Sequence, residues 1–202
     1  MKKLATIGFV IWSVSAVALA DARSDLQQKL ASFNQFSADF SQQVFDEQGK
    51  PMQTGKGTMQ LARPDQFRWH TVSPDESLIV SNGKSVWMYD PFVEQVSIAP
   101  LEQAIQNTPF LLIAGRDGKR WQDYEVTRQG ADFIVASKDP SELISQFSLR
   151  FDARNRIERF SVLESGGQRS DFTLKNINTQ PKVSKTSFTF TPPKGVMVDD
   201  QR

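Results

Sequence analysis

The 202-residue chain contains no cysteine and a single histidine, His70. The side chains most used as nucleophile, general base or soft metal ligand are therefore nearly missing. Cysteine–histidine catalysis has no thiol to work with, and a zinc centre would need unusual carboxylate support. His70 alternates with Phe67 and Trp69 along an extended run, which is expected to point its imidazole to solvent with no built partner. Glycine–lysine pairs stand at Gly55-Lys56, Gly83-Lys84 and Gly118-Lys119, but none completes the GxxxxGK[ST] pattern that cradles phosphates. The adjacent acids Asp75-Glu76 and Asp199-Asp200 sit beside turn or terminal residues, where a solvated surface explains them better than acid–base work. These residues predict no enzyme, no metal and no cofactor.

Apolar residues and one arginine carry more information. NTPFLLIAG, residues 107–115, has a cap candidate at Thr108, Pro109 at the first helical position and a closing glycine. Between them Phe110, Leu111, Leu112 and Ile113 leave no polar face, and the segment is far too short to span a bilayer. Exposing those four side chains together would forfeit roughly 6–12 kcal/mol of possible burial, on the order of a domain's whole stability. They are covered most of the time, either as a plug of ordinary core or as a lid over an apolar cavity. In GTMQLARPDQFRW, Met59, Leu61 and Arg63 share one parity, as do Phe67 and Trp69. Two outcomes stand for Arg63: pairing ends at Ala62 and the side chain bends to water ahead of Pro64, or the strand aims it inward. There the carbonyls at a helix C-terminus would accept its hydrogen bonds. Met59, Leu61, Phe67 and Trp69, with Val80 and Trp87 of the next hairpin, are assigned to the cavity lining, and Arg63 to a lid latch.

The elements that must position these residues follow from length and periodicity. The composition, 39% hydrophobic and 23% charged, fits one globular domain. Lys2 and Lys3 precede the apolar run Ile7–Ala20, and Ala18-Leu19-Ala20 fits the small-x-small cleavage rule. Residues 1–20 are therefore expected to be a signal peptide and 21–202 a single domain. Removing two lysines and no acid turns the net charge from +1 to −1, and no basic block supplies phosphate attraction, so nucleic acid is not an expected partner. Ser24 is placed as the cap of a helix carrying Leu26, Leu30 and Phe33 on one stripe. Period-two alternation then dominates: Phe36 to Val44, Met59 and Leu61, Phe67 to Thr71, and a hairpin about Asn82-Gly83. Further strands are expected near 124–128, 133–137, 147–151, 157–163 and 171–175, with a last one at 187–191 carrying Phe188 and Phe190 before Pro192-Pro193. Residues 99–115 break the pattern, with a helix starting at Pro100. The fold class is mainly β (α+β): one antiparallel sheet curled into a barrel or half-barrel.

ARPDQFRWHTVSPDESLIVSNGKSVWMYDPFVEQ, NTPFLLIA and the terminal FTFTPPKGVMVDDQR, in this order, resemble the LolA family of periplasmic outer-membrane lipoprotein carriers of Gram-negative bacteria. The likeness extends over the entire mature chain and includes the signal peptide and the short first helix. It implies an incomplete antiparallel β-barrel with short helices forming a lid over an apolar cavity. It implies, too, that Arg63 of the RP motif hydrogen-bonds to the lid in the closed state and that Phe67 takes part in lipoprotein handling. Members often carry a tryptophan two to three residues before the RP pair, where this chain has Gln60-Leu61-Ala62, a departure that touches cavity shape. The related LolB family shares the fold but is anchored through a lipidated cysteine, which this chain lacks.

The function the resemblance implies is that of a periplasmic chaperone and carrier acting as a monomer. It would bind the acyl chains of outer-membrane-directed lipoproteins released by an ABC transporter of the inner membrane, and deliver them to the outer-membrane receptor LolB. Burial gains about 0.8 kcal/mol per methylene, so such chains cannot cross water unshielded. A lipocalin-like periplasmic binder of small apolar ligands would use the same barrel without partner proteins. A sensor or scaffold would need a further domain, for which there is little room, and the two apolar helical segments and the Pro-Pro ending do not fit a closed lipid-facing barrel.

Overall fold

The computed structural model describes residues 15–105, 109–116 and 118–202, and the side chains of these residues other than 15–20, 105, 109–111 and 185. Chain order is α1 (Ser15–Ala31), β1 (Gln35–Phe45), β2 (Pro51–Ala62), β3 (Gln66–Ser73), β4 (Ser77–Asn82), β5 (Ser85–Asp90) and β6 (Gln95–Pro100). Then come α2 (Leu101–Ile105), α3 (Pro109–Ala114), a 3-10 turn (Gly118–Asp123), β7 (Tyr124–Gln129), β8 (Asp132–Ser137), β9 (Ile144–Phe151), β10 (Ile157–Glu164) and β11 (Arg169–Asn178). A second 3-10 turn (Lys185–Phe188) and β12 (Met197–Asp200) complete it.

All twelve strands form one sheet in the order β12-β6-β5-β4-β3-β2-β1-β11-β10-β9-β8-β7. Its neighbours are antiparallel except β12 and β6, which run parallel. The two end strands are not hydrogen-bonded to each other, so the barrel is incomplete. Turn chemistry fixes the hairpins: Asn82 Oδ1 accepts from the N–H groups of Lys84 and Ser85, and Gly83 takes φ 90°. Gly130 at φ 60° does the same between β7 and β8. Gly57 has another role, since a Cβ there would lie 2.0 Å from the His70 carbonyl oxygen and 2.6 Å from the Phe40 ring. Only glycine lets the interior aromatic lie across that strand.

Cross-strand register separates the sheet's two faces. Phe36 pairs with Leu61, Leu61 with Phe67, Phe67 with Ser81, and Ser81 with Val86. Partners share a face, so this row and its Ala38–Met59–Trp69 neighbour point inward. They meet Phe133, Val135, Phe147, Leu149, Phe160, Phe172 and Leu174 from the other half of the sheet in one buried core. Leu26, Leu30 and Phe33 close that core from the α1 side.

The helix does not begin at Ser24, as expected: it already runs from the first described residue, Ser15. Alanines at 16, 18, 20 and 22 are strong helix formers, and nothing before Ser24 interrupts them. The expected strand at 187–191 is corrected too. Ser184 Oγ accepts from the Thr186 N–H and starts a 3-10 turn instead, which buries Phe188 on the outside of the sheet while Phe190 lies 5.4 Å from Tyr89. The alternating phenylalanines pack but do not pair. The real last strand is β12, and Pro100, expected to open a helix, ends β6.

Candidate functional site

The interior is aromatic. Phe40 stacks on Trp69 with centroids 4.0 Å apart, Phe160 stacks on Phe172 at 4.3 Å, and Trp69 meets Phe172 edge-on at 5.3 Å. Such offset and edge-on pairs add about 0.5–1.5 kcal/mol each to their area burial. Trp69 satisfies its own polar atom by donating from Nε1 to Thr71 Oγ1 at 3.2 Å.

Above this layer lies α3. Leu112, Ile113 and Ala114 are all buried, and Ile113 reaches a void of only ≈ 10 Å³ bounded also by Phe33, Phe36, Met59, Leu61, Leu149, Ile157, Phe160 and Leu174. That space holds one water at most. The lid's own side chains therefore occupy the interior. Phe110 and Leu111, assigned with them to the lid helix, lie outside the described side chains, as does the cap candidate Thr108. Beyond the lid a cleft of ≈ 550 Å³ opens between α1 and the end of α3, lined by Gln27, Leu30, Asn34, Arg63, Arg116 and Trp121 among others.

Strand β2 stops pairing at Ala62, yet Arg63 does not bend to water. Its backbone N–H donates to the Asn34 carbonyl at 2.9 Å, and the side chain crosses to the lid. Nη2 donates to the Ile113 carbonyl at 2.7 Å and Nη1 to the Gly115 carbonyl at 3.2 Å. The Asp65 N–H donates to the carbonyl between them, that of Ala114, at 3.2 Å. One turn thus satisfies three successive orphan carbonyls at the negative end of α3. The guanidinium carbon also lies 5.4 Å from the Phe33 ring centroid. Burial, with repulsion from Arg116, lowers the Arg63 pKa to about 10 against a smaller opposing pull from Asp65, so it stays charged at neutral pH. Its Nε is buried without a hydrogen-bond partner among the described residues.

Met59, Leu61, Phe67 and Trp69 all lie on the inner face. Val80 and Trp87 do not. Val80 pairs with Arg68 and Trp87 with Val80, which puts both on the outer face. There Val80 is buried, as are Leu78, Val96 and Ile98 of the same face, and Trp87 is half-buried. Their assignment to the cavity lining is corrected: the Asn82-Gly83 hairpin places Val86, not Trp87, inward. Also missed were Asp65, Glu102 and Arg120, which form an ion-pair chain at the lid's base. His70, expected to have no partner, holds Glu76 at 2.8 Å on the outer face. No cluster of three or more metal-ligating side chains occurs among the described residues.

A model of the family described as outer membrane lipoprotein carrier protein LolA matches residues 31–191. The chain belongs to this family. It is 50% identical over 202 residues to the outer-membrane lipoprotein carrier protein of Aeromonas salmonicida (strain A449), covering the whole of both chains. To the protein of the same name from Erwinia tasmaniensis it is 44% identical over 203 residues, again with complete coverage. Among solved structures, an uncharacterized conserved protein from Thermus thermophilus superposes with a TM-score of 0.53 at 15% identity, covering 90% of this chain and 99% of that one. That likeness speaks for the fold alone. Of the two positions to which the LolA resemblance gives a role, Arg63 reaches the lid's carbonyls and Phe67 lies fully buried beneath it.

Proposed function

We propose that the chain is a non-enzymatic carrier that takes the acyl chains of lipoproteins into the space beneath α3. The observation that carries this reading is the pairing of a predominantly apolar, aromatic interior, filled by the lid, with a polar grip at the lid's end. Ligand sites run to about 300–1,000 Å³, and a void of ≈ 10 Å³ becomes one only if α3 withdraws. Cargo then replaces Leu112 and Ile113 against the same aromatic wall. Uptake exchanges one apolar contact for another, which keeps the free-energy difference between empty and loaded states modest and release possible.

Family membership supports lipoprotein as the cargo. The finer route is part of the proposal. Residues 1–20 are removed at Ala20, the chain works in the periplasm as a monomer, an inner-membrane ABC transporter supplies cargo and the LolB receptor accepts it. No helix among the described residues is long and apolar enough to cross a membrane.

The test is to incubate protein beginning at Asp21 with inner-membrane vesicles and ATP, then separate soluble from sedimented material. Lipoprotein should appear in the soluble fraction bound to the carrier. Bound free fatty acid with no lipoprotein would favour the small-ligand binder instead.

A further inference from the structure

One side chain pins the lid segment at both ends. Arg120, in the 3-10 turn after α3, donates from Nη1 to Asp65 Oδ1 at 2.7 Å and from Nη2 to Glu102 Oε1, in the first turn of α2, also at 2.7 Å. Glu102 precedes the lid in chain order and Arg120 follows it, so their bond closes the segment at its base. Asp65 ties that base to the sheet. It sits in the β2–β3 turn at φ 61°, and its carbonyl accepts from the Oγ of fully buried Ser81 on β4 at 2.7 Å. Gly115 lies against the pair, since a Cβ there would come within 3.0 Å of Arg120 Nη1 and 3.2 Å of Asp65 Oδ1. The chain leaving α3 is therefore in contact with both charges.

We propose that Asp65 and Arg120 are positioning residues of the carrier, a second clasp that holds the feet of the lid on the β2–β3 turn and sets how often the empty interior is uncovered. Its consequence for cargo rests on the carrier reading above. The division of labour follows from geometry. Arg63 grips the carbonyls of the helix that must move, whereas Arg120 grips the two stretches about which it moves. The Asp65 and Arg120 side chains are 17% and 16% exposed, but Glu102 is 75% exposed, so the bond to Asp65 is charge-assisted and sheltered while the one to Glu102 is screened. Asp65 also favours the charged form of Arg63, which links the two clasps through one carboxylate.

The experiment uses the empty protein with an apolar fluorescent dye and amide hydrogen exchange. Asp65→Asn removes the charge while keeping a residue tolerant of positive φ, and Arg120→Met removes the partner. Each should raise dye affinity about 5- to 20-fold and speed exchange at Leu112–Gly115 by a similar factor, while amides of Phe67–Trp69 stay protected. The double variant should exceed the stronger single by no more than about twofold, because the Asp65–Arg120 bond is already lost in either single variant. Arg120→Lys, which keeps the charge without the fork, should fall between parent and Arg120→Met. If Arg120→Met does not fold, Asp65→Asn and Arg120→Lys decide the matter. Single variants within twofold of the parent, effects that multiply, or equal acceleration of the sheet amides would each overturn the clasp. Vesicle assays on the parent judge the carrier function separately, because neither dye binding nor exchange requires lipoprotein.

Discussion

Arg63 leaves the sheet where pairing ends and directs its charge at the carbonyls of Ile113 in α3 and of Gly115 just past its end. Charge-assisted bonds of this kind are worth very roughly 1.5–3 kcal/mol each, less the cost of the buried, unpartnered Nε. Arg63→Leu should therefore bind an apolar dye more tightly when empty, take up lipoprotein at least as well as the parent, and deliver it poorly to the receptor. Normal delivery with unchanged dye binding would reduce Arg63 to a structural residue. Shared parity with Met59 and Leu61 made an inward Arg63 conceivable from sequence, although the strand stops one residue earlier than that argument needs. Nothing local announced Asp65 with Arg120, which lie 55 positions apart, because an ion pair across that separation exists only once the sheet has curled.

At the scale of elements, α3 could not stand alone. A helix of six residues is well below the length that is stable in water; burial of Leu112, Ile113 and Ala114 and capping of its end hold it. Ile113→Ala would cost about 2–5 kcal/mol if the lid stayed rigidly shut over the new cavity. If α3 withdraws, as the carrier reading proposes, the measured loss in thermal stability falls below that range and dye binding strengthens; a full loss without extra dye binding would mark α3 as plain core. The outer layer behaves differently. Phe188→Ala should cost up to about 3–5 kcal/mol for the docking of the C-terminal segment, exposing residues 179–196 to limited proteolysis while dye binding by the interior stays within twofold. Period two revealed most strands because their inner residues are large and their outer ones polar. It failed where both faces are covered: Val80 and Val86 are equally buried, so parity alone could not choose between Trp87 and its neighbour. It failed again at 187–191, where two phenylalanines insert from a segment that never pairs.

For the whole molecule, an ion pair bridges neighbouring strands of the open sheet. Asp132 and Arg150 face each other across β8 and β9 and form a forked pair. The hydrogen bonds from Arg150 hold the Asp132 carboxyl below the usual carboxylate range. A depressed carboxyl pKa stabilises the fold above its unfolded value, and that contribution is lost as pH falls through the folded value. Thermal stability should accordingly fall on acidification below about pH 4, and Asp132→Asn should flatten that part of the profile while lowering stability at neutral pH. A variant with the parent's acid slope would remove this pair from the account.

The two-faced sheet also gives the protein its own optical report. Trp69 on β3 is stacked against Phe40 inside, and Trp87 on β5 is half-buried on the opposite surface, with β4 alone between their strands. A brominated acyl chain beneath the lid should quench the emission of Trp69, and a bulky ion such as iodide in solvent should reach Trp87 first. In protein beginning at Asp21, which lacks Trp12, with Trp87→Phe and Trp121→Phe as background, the remaining emission would follow filling and emptying of the interior in real time, without any label on the carrier.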